Sequence, residues 1–334
     1  MGITVPFTKM VGTGNDFVVV DTTRHSMPAV RSQWRAISQA VCDRHTGIGA
    51  DGLLVLERSR AADVRMRVFN PDGSEAQMCG NGARCVARYL TGQGRGHRGR
   101  ALITIETKAG IVQARVQGNR VAIRMTDPTS LRLGLTLTAA DQTFRLGCVN
   151  TGVPHAVVPV KRLEAVDVTR IGRTLRYHRA FSPRGSNVNF IQADPRRLNR
   201  IRIRTYERGV EAETLACGTG VAASAVVFAL SRGAQRNGAG QHRIEVETRS
   251  QDVLTVSFTV QRHGREPRIT NLVLQGPAVR VFEGMITLLR RKPRPWTGRK
   301  AKRVASERFR PTGRSNMMPR VCPGGSTWPM RRAG

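Results

Sequence analysis

The chain has 334 residues, 40% of them apolar and 5% aromatic, enough for two modest domains with packed cores. Its longest apolar run, 221–230, broken only by Ser224, is about half of a membrane span, and its first residues lack a charged start followed by an apolar core, which argues against a membrane protein and a secreted one. The formal charge of +32 is uneven: residues 290–334 hold fourteen Lys and Arg against one acid, Glu307, in a Pro-, Gly- and Ser-rich stretch without helical or alternating period. That stretch reads as a disordered basic tail. The rest of the charge is spread over the body with no nucleic-acid-binding motif around it, so a solvated basic surface is the preferred reading. A basic nucleic-acid-binding protein is kept as the alternative from a different class. The expectation is a cytoplasmic protein with no membrane partner and no specific nucleic acid.

In chain order, a glycine turn at Thr13-Gly14 feeds a β-branched strand over 17–20, and another strand spans 64–69. The motif Met78-Cys79-Gly80-Asn81-Gly82 follows, with a helix predicted over 82–90 and a Gly-rich, basic surface loop over 91–100. Alternating strands are predicted over 102–107, 111–116 and 121–125. The plan then recurs, with strands over 156–160 and 201–206, a helix over 220–230, and strands over 244–248 and 254–259. Residues 277–286 read as a last strand.

The recurrence is a duplication. Thr13-Gly14-Asn15-Asp16-Phe17 resembles Thr151-Gly152-Val153-Pro154-His155 at an offset of 138 residues. The same offset sets Gly47-Ile48-Gly49-Ala50-Asp51 on Gly185-Ser186-Asn187-Val188-Asn189, and Cys79-Gly80-Asn81-Gly82 on Cys217-Gly218-Thr219-Gly220. Two homologous domains, 1–130 and 131–275, are expected to face each other across a pseudo-twofold axis. A terminal strand, 276–289, packs back on the body, and the tail, 290–334, follows.

Six cysteines, at 42, 79, 85, 148, 217 and 322, form no Cys-x-x-Cys pair and no zinc spacing, so no metal site is expected. Cys79 and Cys217 stand apart because each lies at the mouth of a predicted helix, where unpaired N–H groups and the positive end of the dipole gather. That setting is expected to lower a thiol's pKa toward neutrality and to hold a carboxylate. One thiolate would take a proton from a carbon on one face while the opposite thiol returns a proton on the other, inverting a stereocentre. The helix mouths would stabilise the charge that moves onto the carboxylate, without a cofactor. Cys85, inside the first helix, reads as packing; Cys42, Cys148 and Cys322 read as core or tail residues. A redox sensor built on a Cys79–Cys217 disulfide fits the thiols but uses none of the polar residues around them.

Four stretches, KMVGTGNDF (9–17), FNPDGSE (69–75), MCGNGARC (78–85) and YERGVEAETLACGTG (206–220), resemble the motifs of the diaminopimelate epimerase family in the family's order. The resemblance covers about 6–288. It implies an α+β fold of two homologous domains, each a curved, mostly antiparallel sheet wrapped around a central helix, with the active site between them. It implies interconversion of LL- and meso-diaminopimelate, feeding lysine and peptidoglycan synthesis, without pyridoxal phosphate or another cofactor, often in a homodimer. Carried over position by position, Cys79 and Cys217 are the acid/base pair. Gly80 with Asn81, and Gly218 with Thr219, hold the carboxylate at the reacting centre. Asn15, Asn70, Asn187, Glu207 and Arg208 match substrate-binding positions, and His155 and Glu207 match positions that tune the thiols. Two departures stand out: the family's Asn-Pro-His is Val153-Pro154-His155 here, and Gly52 stands where some members carry Gln. A related two-cysteine racemase acting on another amino acid, of histidine or proline type, is the alternative within the fold.

Overall fold

The chain enters on β1 (Ile3–Gly12), turns through Thr13 and Gly14, and returns antiparallel along β2 (Asn15–Asp21). α1 (Trp34–Cys42) carries it back to lay β3 (Gly52–Glu57) parallel to β2. Both strands are apolar almost throughout because both faces are covered. Phe17, Val19, Leu54 and Leu56 join the central core, while Val18, Val20, Leu53 and Val55 pack with Trp34, Ile37 and Val41 of α1 in a second one. β4 (Val64–Phe69), the short β5 (Glu75–Ala76), α2 (Gly80–Gly92), β6 (Leu102–Thr107), β7 (Gly110–Gln117) and β8 (Arg120–Arg124) complete the first half. This computed structural model describes residues 3–25, 33–93, 102–231, 239–263 and 266–288. The tail with Cys322, and all of the expected surface loop except Thr91, Gly92 and Gln93, lie outside them.

The second half repeats the plan. After the linking strand β9 (Thr129–Ala139), β10 (Gln142–Asn150) and β11 (Pro154–Pro159) lead to α3 (Val168–Arg176), and β12 (Asn187–Ala193) returns parallel to β11. β13 (Arg200–Glu207), the short β14 (Ala212–Thr214), α4 (Gly218–Ser231), β15 (Gly240–Glu247), β16 (Val253–His263), β17 (Glu266–Pro277) and β18 (Val279–Leu288) follow. α3 covers the outer face of β11 and β12 through Val168, Ile171 and Leu175, as α1 covers β2 and β3.

Followed along its hydrogen bonds, the sheet runs β18-β1-β2-β3-β4-β6-β7-β8 and then β17-β16-β15-β13-β12-β11-β10-β9, with β5 and β14 as short returns on β4 and β13. The order has the same pattern from either end, and the pseudo-twofold point is the β8–β17 ladder, where Ile123 lies beside Leu274. The expected two-repeat α+β fold is therefore present. β9 follows the first unit yet pairs with β10, and β18 follows the second yet pairs with β1.

Register corrects one of the three repeat matches. Phe17 pairs with Gly52, and His155, its partner at offset 138, pairs with Asn187. Gly52 is thus the counterpart of Asn187, and the glycine-rich match is three residues out of step. The two central helices also start earlier than expected, at Gly80 and Gly218, directly after the cysteines. α4 is buried on all sides, which is why its apolar residues show no single stripe, whereas α2 keeps a one-sided apolar face although most of it is buried. Among the described residues no helix is long and apolar enough to cross a membrane.

Candidate active site

Each reactive cysteine is placed by the same local device. A strand (β4 or β13) ends, a short return strand follows, and the cysteine stands just before a Gly-x-Gly that lets a helix start inside the core. Cys79 is extended (φ −138°, ψ 117°) and caps α2, its Sγ accepting from the Gly82 N–H at 3.4 Å. Its carbonyl accepts from Ala83 N at 2.8 Å, and the Cys217 carbonyl accepts from Val221 N at 2.9 Å in the matching first turn of α4. Cys217 Sγ lies 3.4 Å from Thr219 Oγ1. The two helix mouths meet: a methyl group on Gly218 would lie 3.9 Å from Asn81 Oδ1. Both cysteines are free thiols.

The expected polar residues gather in two sets. From the first half, Asn81 Nδ2 donates to Asn15 Oδ1 at 2.6 Å, and Asn15 Nδ2 donates to Asp51 Oδ2 at 3.0 Å. From the second, Asn187 Oδ1 accepts from the Arg208 backbone N–H at 2.7 Å while its Nδ2 donates to Pro154 O at 3.3 Å. The Arg208 guanidinium reaches only a carbonyl, Arg184 O at 3.5 Å, and among the described residues no carboxylate pairs with it. A half-buried guanidinium in that state suits a ligand carboxylate, which its fork binds through two parallel bonds. Asn70 is exposed past the end of β4, its amide tied to Ser74 Oγ at 2.9 Å.

Electrostatics reverses one expectation. Burial pushes the Cys79 thiol up, against the pull of the Gly82 N–H and Arg84, and it pushes Cys217 up to about 12 with help from the Glu207 charge. Taking a thiolate out of water outweighs the helix mouth, so neither thiol is drawn toward neutrality by its cap alone. Glu207, at the end of β13, acts on both thiols, and burial raises its own carboxyl. His155 is fully buried and held down to about 3, first by burial and then by Arg208; its Nδ1 meets Asn189 Nδ2 at 3.1 Å, and Nε2 has no protein partner. It is neutral wherever the protein is folded near neutral pH. An unfolded chain binds a proton at His155 below its ordinary 6.5, and the folded chain does so only near 3. This contribution to stability is full above that ordinary value and is lost as pH falls through the interval. His155→Gln is therefore expected to flatten the decline of the urea midpoint between those pH values, where the wild-type slope from this group approaches about 1.4 kcal/mol per unit.

Several residues of the site are given no role at the site by the sequence reading. Asn189 joins His155 Nδ1, Ala156 O and Thr205 Oγ1 in one buried network. Thr151 Oγ1 donates to Thr219 O at 2.8 Å, and Thr13 Oγ1 accepts from Arg84 at 2.7 Å, so the repeated Thr-Gly pair braces both helix mouths. The duplication already marked the threonines. Arg84 and Asn189 carried no separate signal. Cys42, Cys85 and Cys148 are buried core residues, as expected.

The fold is shared with solved proteins of low sequence identity. A Bacillus anthracis phenazine biosynthesis protein of the PhzF family superposes with a TM-score of 0.64 at 19% identity, covering 85% of this chain and 99% of that one. A hydroxyproline epimerase from Agrobacterium vitis gives 0.59 at 16%, covering 85% and 93%. These define the class as the two-repeat fold. Within it, the family model for diaminopimelate epimerase matches residues 7–131 and 147–281. The diaminopimelate epimerase of Aquifex aeolicus is 39% identical over 291 residues, 84% of this chain and 97% of that protein. That of Methanocella arvoryzae is 42% identical over 234 residues, 67% and 81% respectively. The chain belongs to the diaminopimelate epimerase family.

Proposed function

We propose that this chain is a cofactor-independent isomerase that interconverts LL- and meso-diaminopimelate with Cys79 and Cys217 as its two acid/base groups, between units spanning 1–130 and 131–275. The observation that carries this reading is the meeting of two equivalent Cys-Gly-x-Gly helix mouths. One thiolate removes the α-proton, the electron pair moves toward the α-carboxylate, and the opposite thiol delivers its proton to the other face of the carbon. The N–H groups at Gly80, Asn81, Gly218 and Thr219 converge on the carboxylate as it gains charge, where fixed donors act most strongly. Asn15, Asn70, Asn187 and Arg208 hold the remaining polar groups of the substrate, with Glu207 and His155 beside the thiols.

A homodimer in the cytoplasm is part of the same reading. Supporting it, β18 pairs with β1 on one edge and, among the described residues, with no strand on the other, and it exposes Val279, Val281, Phe282 and Met285. The five described cysteines are all free, as a reducing compartment keeps them. Incubating the purified, reduced protein with LL-diaminopimelate in D2O is expected to yield the meso isomer with deuterium at one α-carbon. A folded sample that exchanges histidine or proline instead would move the substrate to another amino acid, and one that exchanges nothing would remove the reading. A mass of two chains by light scattering on the same sample checks the dimer.

A further inference from the structure

Beyond the thiols and the loops beside them, Arg84 in the first turns of α2 stands out. Its side chain is fully buried, yet among the described residues no carboxylate forms an ion pair with it. Nη2 donates to Asn81 Oδ1 and to Thr13 Oγ1, both at 2.7 Å, while Nε and Nη1 have no protein partner. A guanidinium does not give up its proton in proteins, and an uncompensated one in a core is costly. The surroundings are nonetheless shaped to keep it. Gly276 of β17 lies against it, where a methyl group would come 3.2 Å from Nε, and Thr13 holds an unfavourable left-handed backbone (φ 54°) with its hydroxyl on the guanidinium.

The counter-charge must therefore come from something that ionises within reach. The groups that act on Arg84 are Cys79, Cys85 of its own helix and Asp252 in the turn between β15 and β16; Glu207 of β13 acts on Cys79 from the other half. Cys85 is sealed in the core and burial pushes it up to about 12, whereas Cys79 opens on the helix mouth. The second half has no such cation: the position 138 residues on is Ala222. Cys217 feels the Glu207 charge without one to oppose it. The duplicated site is thus electrically lopsided.

We propose that Arg84 is a positioning residue, the built-in counter-cation of Cys79, which makes Cys79 the more readily ionised thiol of the pair and Cys217 the one that keeps its proton. This rests on the two-thiol reading above. In the same stroke Arg84 sets the amide of Asn81, its oxygen toward the guanidinium and its N–H toward Asn15. Once Cys79 has ionised, the pair holds a single proton, on Cys217, ready to be delivered when Cys79 accepts one from substrate.

The test titrates the thiols without substrate. The full-length reduced protein is alkylated with iodoacetamide to low extent across a pH series, and the rate at each cysteine is read by peptide mass spectrometry, so that midpoints rather than accessibilities are compared. In the wild type the Cys79 midpoint is expected to lie about one unit or more below that of Cys217. Arg84→Met is expected to raise the Cys79 midpoint by a similar amount and leave Cys217 in place, and Arg84→Lys to restore most of the difference. Coincident midpoints in the wild type, or a Cys79 midpoint indifferent to folded Arg84→Met, would overturn the proposal. If Arg84→Met does not fold, the wild-type midpoints decide alone. Failure of the D2O exchange with these midpoints as expected would remove the substrate reading and spare the role of Arg84; intact exchange with coincident midpoints would do the opposite.

Discussion

Cys79→Ala and Cys217→Ala are each expected to slow epimerisation by about 10³-fold, because a positioned acid or base contributes roughly 10²–10⁴ to such a proton transfer. The double variant is expected to lose little beyond either single one, since the two thiols act as a unit and neither inverts a centre alone. The fold should survive both changes. Cys79 is only partly buried and caps its helix through a weak 3.4 Å contact to Gly82 N, and Cys217 contributes no ladder bond through its side chain. Rates of product formation and of α-deuterium uptake, with circular dichroism as the control, make the measurement. A variant that keeps a tenth of the wild-type rate would take that cysteine out of the acid/base pair.

Gly220→Ala is expected to have the next largest effect, on stability and rate together. A methyl group at Gly220 would stand 2.4 Å from Asn189 Oδ1, which already accepts from Thr205 Oγ1 at 3.0 Å, while the Asn189 amide nitrogen is committed to His155 and Ala156. The amide has nowhere to go, so the first turn of α4 must shift away and carry the Cys217 thiol and the Thr219 N–H with it. Overpacking of this kind costs about 1–3 kcal/mol. Displacing catalytic donors by the order of an ångström costs about 10²-fold in rate. Gly80→Ala, at the other helix mouth, is the comparison, because its methyl group would meet only Ile123 Cδ1, at 3.4 Å. It is expected to retain most activity. Equal losses in the two variants, read from urea midpoints and kcat/KM, would show that glycine matters at the helix mouths for a reason other than space at Asn189.

The duplication, the two helix mouths and the strands flanking them were legible because they repeat local signals: Cys-Gly-x-Gly twice, Thr-Gly twice, and β-branched runs at matching places. Strands 64–69 and 102–107 end where their pattern ends. Two helices escaped. α1 buries Trp34, Ile37, Ser38 and Val41, and α3 buries Val168, Ile171, Gly172 and Leu175 after an Asp167 cap, so both carried the i, i+3, i+4, i+7 spacing. They lie on the outside of the sheet, where nothing in the search for a central helix points. β3 escaped because a strand buried on both faces shows a continuous apolar run rather than alternation. The thiol electrostatics could not be read from sequence at all. A helix start is local, whereas the burial that overrides it comes from strands far along the chain. Arg84 was quoted within a motif, yet only the packing of Gly276 and Thr13 around it separates it from an ordinary surface arginine.

The exchange of β9 and β18 between the two units has a historical consequence. A half-length chain that passed its last strand to a second copy, and received one in return, would close this same ladder as a swapped homodimer with one cysteine from each subunit. Such an ancestor is bound by its symmetry: whatever stands beside one thiol must stand beside the other. Joining the copies between β9 and β10 ends that obligation. Only a fused chain can place an arginine at position 84 and an alanine at 222, and so assign different work to two halves that began as one.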